Sequence, residues 1–197
     1  MTDSIGFIGL GVLGSAMAGN LVNSGFTVIG YDTVAEKRAA LEEGGGQSGP
    51  SPKDVADRSD VVILCLPTAD VLHAVADKLK DGGGEGQIIL EVSTFAIADK
   101  EKARDTLAEA GKILLDCPVS GNRILALKKQ LTAFGSGDEA AYEAVEHIID
   151  GFAHRKFYVG EFGCGMKMKF CGNILNLVHN SAAAEVMVLG MGRKPGG

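Results

Sequence analysis

Residues 5–24, IGFIGLGVLGSAMAGNLVNS, restrict the fold more than any other stretch of this chain. Ile5, Phe7, Ile8 and Leu10 make a continuous apolar run, the mark of a strand buried on both faces, and residues 12–24 have helical composition. Gly9, Gly11 and Gly14 join the two at the spacing G-x-G-x-x-G. Each glycine answers a separate need. Gly9 permits a tight turn, Gly11 lets the backbone approach a bound group, and Gly14 lets the helix pack on the strand. The free amides of the helix start, beside Leu13, then face a negative charge, and a pyrophosphate is the group that fits.

With 28 glycines in the chain, that spacing needs context. A second apolar run, 27–31, ends in Asp32, 18 residues beyond Gly14, where a dinucleotide site has the acid that accepts ribose hydroxyls. A carboxylate there repels the extra phosphate of NADP, so NAD is the expected cofactor. The competing reading is a structural strand-turn-helix with a solvated Asp32.

The pattern continues along the chain. Strands are expected at 4–10, 26–31, 60–66, 87–92, 112–116, 131–135 and 156–159, and helices at 12–24, 34–43, 52–58, 69–80, 97–110 and 138–150. Alternation of this kind predicts an α/β fold, a Rossmann-type doubly wound and mostly parallel sheet, over residues 1–162. Right-handed crossovers would bring the loops after Leu10, Tyr31, Leu66 and Val92 to one sheet edge, so Leu66, Pro67 and Thr94 are candidates to line the ribose and nicotinamide side. Taken singly, each is equally well a strand-end turn residue.

Bulk properties exclude several function classes. A net charge of −6 with no basic stripe argues against nucleic-acid binding. The cysteines, Cys65, Cys117, Cys164 and Cys171, have no spacing suited to zinc and read as reduced cytoplasmic thiols. MTDSIGF lacks a secretory pattern.

After residue 160 a glycine-rich hinge, VGEFGCG, leads into a long helical run over about 166–189, taken with the chain end as a second unit, 163–197. Lys167, Lys169, Asn173, Asn176, His179, Asn180 and Glu185 make it too polar for a bilayer span by this reading. Lys169, Asn173, Asn176 and Asn180 share one face, which by spacing alone is equally a solvated stripe.

The chain resembles the β-hydroxyacid dehydrogenases, the group that includes 3-hydroxyisobutyrate dehydrogenase and tartronate semialdehyde reductase. Three ordered motifs carry the likeness: GFIGLGVLGSAMAGNL, DCPVSGN (116–122) and GCGMKMKFCGN (163–173). The resemblance implies that Lys169 is the catalytic lysine and Asn173 its partner, that Ser120 and Gly121, with Asn122, hold a substrate carboxylate, and that Thr94 lies beside the nicotinamide. It implies hydride transfer between NAD and a small 3-hydroxy or 2-hydroxy-3-oxo carboxylate, with no metal.

Departures stand beside the matches. Asn122 replaces a glycine, Gly172 replaces an asparagine, and the loop RILALKKQ (123–130) brings Arg123, Lys128 and Lys129, which suit a more anionic substrate or a solvated surface. The resemblance also implies an all-helical domain after the long helix, so the chain reads as truncated, or as a homodimer that pairs this helix with another copy. The alternative function is a dinucleotide-binding module with little or no catalysis.

Overall fold

The structure, a computed structural model, describes residues 3–192. The chain runs β1 (Ser4–Ile8), α1 (Val12–Asn23), β2 (Thr27–Tyr31), α2 (Ala35–Glu43), β3 (Gln47–Ser48), α3 (Pro52–Asp57), β4 (Val61–Leu64), α4 (Ala69–Lys80), β5 (Ile88–Glu91), α5 (Ile97–Ala108) and β6 (Ile113–Asp116). It continues through β7 (Val119–Ser120), α6 (Arg123–Leu127), β8 (Leu131–Gly135), α7 (Glu139–Phe152), β9 (Ala153–Tyr158) and α8 (Cys164–Gly192). The first six strands pair in parallel in the order β3-β2-β1-β4-β5-β6, the doubly wound arrangement expected.

Why these strands are unbroken apolar runs follows from what covers them. Side chains alternate along β4: Val61 and Ile63 join a core shared with α1 and α7, while Val62 and Leu64 join one shared with α3, α4 and α5. Both faces are therefore dry. α4 shows the helical counterpart, with Leu72, Val75, Ala76 and Leu79 buried on one face and Thr68 capping its start by accepting the Val71 amide at 3.3 Å. Lys78 and Lys80 sit in its last turn, where the helix dipole favours cations.

The structure differs from the sequence expectation at four places. Residues 131–135 and 156–159 do not extend the parallel sheet; with β7 they form a second, three-stranded sheet in which β8 lies antiparallel to β7 and parallel to β9. An isolated bridge between Asp116 and Ser136 joins it to the end of β6. The segment 123–130, expected as a loop, begins with the helical turns of α6, capped by Asn122, whose side chain accepts the Leu125 amide at 3.1 Å. β3 lies inside the turn-like GGGQSGPSP and borrows its order from β2.

α8 stands apart. Among the described residues it buries only Gly165 and Met166, and Ile174, Leu177, Val186 and Leu189 are all exposed. By length and composition it can cross a membrane, where the sequence reading counted it too polar. The reason is distribution, since its lysines cluster at 167–169 and Glu185 is the one charged residue over 174–191. Of the expected second unit, 163–197, residues 193–197 lie outside the described residues, as do 1 and 2 of the first.

Candidate functional site

The glycine turn is built by close backbone approach. Gly9 has φ +97°, and a Cβ there would stand 2.1 Å from the Cys65 carbonyl oxygen; one on Gly14 would stand 2.0 Å from the Gly9 oxygen. At Gly11 the space is open, with nothing within 4 Å of a Cβ. No side chain caps α1, so its first amides, beside the half-buried Leu13, keep their donors for an external acceptor. This cradle fits a dinucleotide pyrophosphate.

Asp32 lies at the end of β2, and its carboxylate does local work. Oδ2 accepts the Leu10 amide at 2.9 Å, Oδ1 accepts the Val34 amide at 3.0 Å, and Lys37 Nζ lies 3.4 Å from Oδ2. The acid therefore ties the glycine turn to the start of α2 and keeps acceptor capacity for a hydroxyl. Across the sheet edge, Pro67 and Thr94 are exposed, whereas Leu66 packs into the core and donates its amide to Ser93 Oγ at 2.8 Å.

A second constellation gathers at the root of α8. Ser120, Gly121, Asn122, Leu125, Gln130, Thr132, Lys169, Asn173 and Asn176 line one cleft of ≈ 440 Å³. Among the nine, Leu125 alone has an apolar side chain. Gly121, at φ +143°, makes the turn that brings Ser120 and Asn122 to the same rim. Because Asn122 Oδ1 accepts from Leu125, its amide nitrogen is turned free to donate. Lys169 is half-buried, and burial holds its amine below the ordinary lysine range.

The structure brings Ser120, Gly121, Asn122, Lys169 and Asn173 together, and Asn176 with them. Two of the three loop cations are engaged elsewhere. Arg123 lines another cleft, of ≈ 560 Å³, with Gly11, Val12, Glu36 and Lys37, and Lys129 reaches Ser24 Oγ at 3.4 Å. Gln130 and Thr132 were missed by motif reasoning. Their signal is topological: β8 pairs with β7, and Thr132 sits opposite Ser120.

Residues 4–160 match the family described as the NAD binding domain of 6-phosphogluconate dehydrogenase. The chain is 32% identical over 195 residues to L-threonate dehydrogenase of Cupriavidus necator, covering 97% of this chain and 66% of that one. Among solved structures, 3-hydroxyisobutyrate dehydrogenase of Mycobacterium tuberculosis with L-serine superposes at a TM-score of 0.93, with 28% identity over 97% of this chain and 66% of that one. Psf3, solved with NADP+ and 2-OPP, superposes at 0.87 with 27% identity, over 95% of this chain and 67% of that one. The chain spans 66% of the length of that L-threonate dehydrogenase and 56% of the human mitochondrial 3-hydroxyisobutyrate dehydrogenase, to which it is 30% identical over 190 residues.

Proposed function

We propose that this chain, which belongs to the family of the NAD binding domain of 6-phosphogluconate dehydrogenase and with it to the β-hydroxyacid dehydrogenases, moves a hydride between NAD and a small 3-hydroxy or 2-hydroxy-3-oxo carboxylate. One observation carries the reading: Lys169, its amine biased toward neutrality by burial, shares a polar cleft with Ser120, Gly121 and Asn122.

Bound NAD supplies the hydride acceptor, and the protein supplies position and a proton acceptor. The neutral amine of Lys169 takes the proton of the substrate hydroxyl as the alcohol is oxidised, and the ammonium returns it to the carbonyl oxygen in the reverse direction. Asn173, one turn further along α8, orients the hydroxyl or the amine. Ser120 Oγ, the backbone at Gly121 and the free amide of Asn122 receive the substrate carboxylate without a second cation, which leaves Lys169 free to deprotonate. On the cofactor side, Gly9, Gly11, Leu13 and Gly14 hold the pyrophosphate, Asp32 accepts from the ribose, and Leu66, Pro67 and Thr94 line the far end. We take NAD over NADP because of the Asp32 carboxylate; Lys37 beside it is the group that would favour NADP.

The same reading makes residues 1–162 the cofactor-holding unit and 163–197 the start of a helical one, in a cytoplasmic homodimer paired through α8, with a small carboxylate rather than nucleic acid or membrane as its partner. Calorimetry with NAD, then a panel of hydroxy acids followed near the reduced-cofactor band at about 340 nm, tests it. Lys169→Ala lowers turnover by ~10²-fold or more with NAD affinity intact. Binding of NAD without turnover of any acid overturns the enzyme reading in favour of a dinucleotide-binding module.

A further inference from the structure

A buried ionic cluster lies between the two halves of the site. Lys100, Glu91 and Asp116 are each 0% exposed, and Lys100 Nζ stands 2.6 Å from Glu91 Oε2 and 2.7 Å from Asp116 Oδ1. Among the described residues Glu91 Oε2 meets the Lys100 ammonium and no further donor. Such a cluster is costly to desolvate and contributes little net stability, so its presence asks for another reason.

The bonds leaving the cluster supply one. On one side, Asp116 Oδ2 accepts the Met166 amide at 2.9 Å, and Ser136 Oγ, 3.1 Å from the same oxygen, accepts the Gly165 amide at 3.0 Å. Asp116 and Ser136 thus cap α8 from a distant part of the chain, with a carboxylate at the positive end of the helix dipole. Met166 is fully buried, and Lys169 follows it by three residues, on the same side of the helix. On the other side, Glu91 Oε1 accepts the Ser93 amide at 2.9 Å, and Ser93 Oγ accepts the Leu66 amide, fixing the ends of β4 and β5 where Leu66 and Thr94 lie. One cation therefore joins the carboxylate that roots α8 to the carboxylate that shapes the cofactor-side loops.

We propose that Lys100 and Asp116 are positioning residues that register Lys169 against the cofactor-side strand ends, with Lys100 as the shared tie between Asp116 and Glu91. The proposal rests on the dehydrogenase reading for its effect on turnover, but the holding of Lys169 stands without it.

The test has two readouts on the full chain. The first is turnover at about 340 nm. The second is the pH midpoint of Lys169 acylation by an amine-reactive ester, followed by peptide mass spectrometry, which needs no activity. Asp116→Asn sets an amide where two donors, Lys100 and Met166, each need an oxygen, so one bond is lost. It lowers kcat by ~10²-fold with KM and the NAD dissociation constant within about threefold, and moves the Lys169 midpoint up toward that of an ordinary lysine. Lys100→Met in a Glu91→Gln background, which leaves a single buried carboxylate, has the same two effects, and Glu91→Gln alone, which removes the charge that ties Lys100 to the cofactor-side strand ends, lowers kcat in the same direction. Where Asp116→Asn does not fold, Ser136→Ala removes the Gly165 acceptor at lower cost and shifts the midpoint in the same direction. A folded variant of Asp116, or of Ser136 in its place, with an unmoved Lys169 midpoint overturns the proposal. A starting protein that turns over no acid yet shows the midpoint shifts overturns the dehydrogenase reading and leaves the positioning role standing.

Discussion

Gly165→Ala is the most informative single substitution, because its neighbours cannot yield. A Cβ there would lie 2.4 Å from the Phe134 carbonyl oxygen, 2.9 Å from Pro118 Cδ and 3.0 Å from the Asp116 carbonyl oxygen, two of them backbone and one a proline ring. An ordinary contact of about 3.4 Å requires α8 to retreat from Phe134 by roughly 1 Å. Two energies compete. Alanine gains about 1 kcal/mol over glycine in a helix, while overfilling a tight slot costs about 1–3 kcal/mol. The rigid slot wins, for a net loss of about 0–2 kcal/mol, or a fall in Tm of up to about 8 °C at this chain length. Function suffers more. A shift of about 1 Å at the root of α8 reaches Lys169 one turn away, and misplacement on that scale costs about 10²-fold in rate. We expect kcat to fall by about that factor, with NAD affinity by calorimetry unchanged, since the glycine turn near Gly11 is untouched. Turnover equal to that of the starting protein would refute the claim that the α8 slot sets the reacting geometry, and a rise in Tm would refute the packing argument beneath it.

Further expectations follow from other parts of the molecule. Asp32→Ser frees Lys37 to meet a 2′-phosphate and raises the NADP-to-NAD ratio of kcat/KM by ~10-fold or more. It also leaves the Leu10 amide short of an acceptor at a cost of about 1–3 kcal/mol, visible as a lower Tm; an unaltered ratio would remove Asp32 as the selectivity determinant. The rate of alcohol oxidation rises with pH through the midpoint of Lys169, which lies below the ordinary lysine range, and carbonyl reduction falls through the same midpoint; Lys169→Arg abolishes that limb, and its persistence would assign it to another group. Between that midpoint and the ordinary lysine value the unfolded chain binds more protons than the folded one, so stability gained from this residue grows as pH rises through that window. Light scattering should give twice the 20.4 kDa chain mass, and Leu177→Asp should halve it; a monomer at high concentration would rule out pairing through α8.

The parallel sheet was legible because its strands are buried on both faces and so appear as unbroken apolar runs. α4 came out at its observed bounds because Thr68, the buried spacing and the glycines after Lys80 agree. β7 and α6 were not legible, since two residues of strand and five of helix are too short to display a period. β9 begins three residues before the expected 156, a start hidden because His154 and Arg155 are exposed and polar, with Arg155 paired to Thr132 of β8 and His154 at the register shift. In the candidate cleft, the motifs reached Ser120, Gly121, Asn122, Lys169 and Asn173, but not Thr132, which arrives only by cross-strand pairing. Lys100 left one trace in the sequence. Positions 100, 103 and 107 share the buried face of α5, and a lysine on an apolar face needs a buried partner, yet nothing local names Glu91 or Asp116 as that partner.

The rooting of α8 by its first turn alone has a mechanical consequence. At about 1.5 Å per residue, Lys169 lies roughly 4.5 Å from Met166 and Gly192 roughly 39 Å, so a tilt of about 10° about the root carries the far end some 7 Å but Lys169 under 1 Å. The helix is a lever with Lys169 beside its fulcrum. Whatever docks along its exposed length swings the tip through a wide arc while Lys169 moves only about a ninth as far.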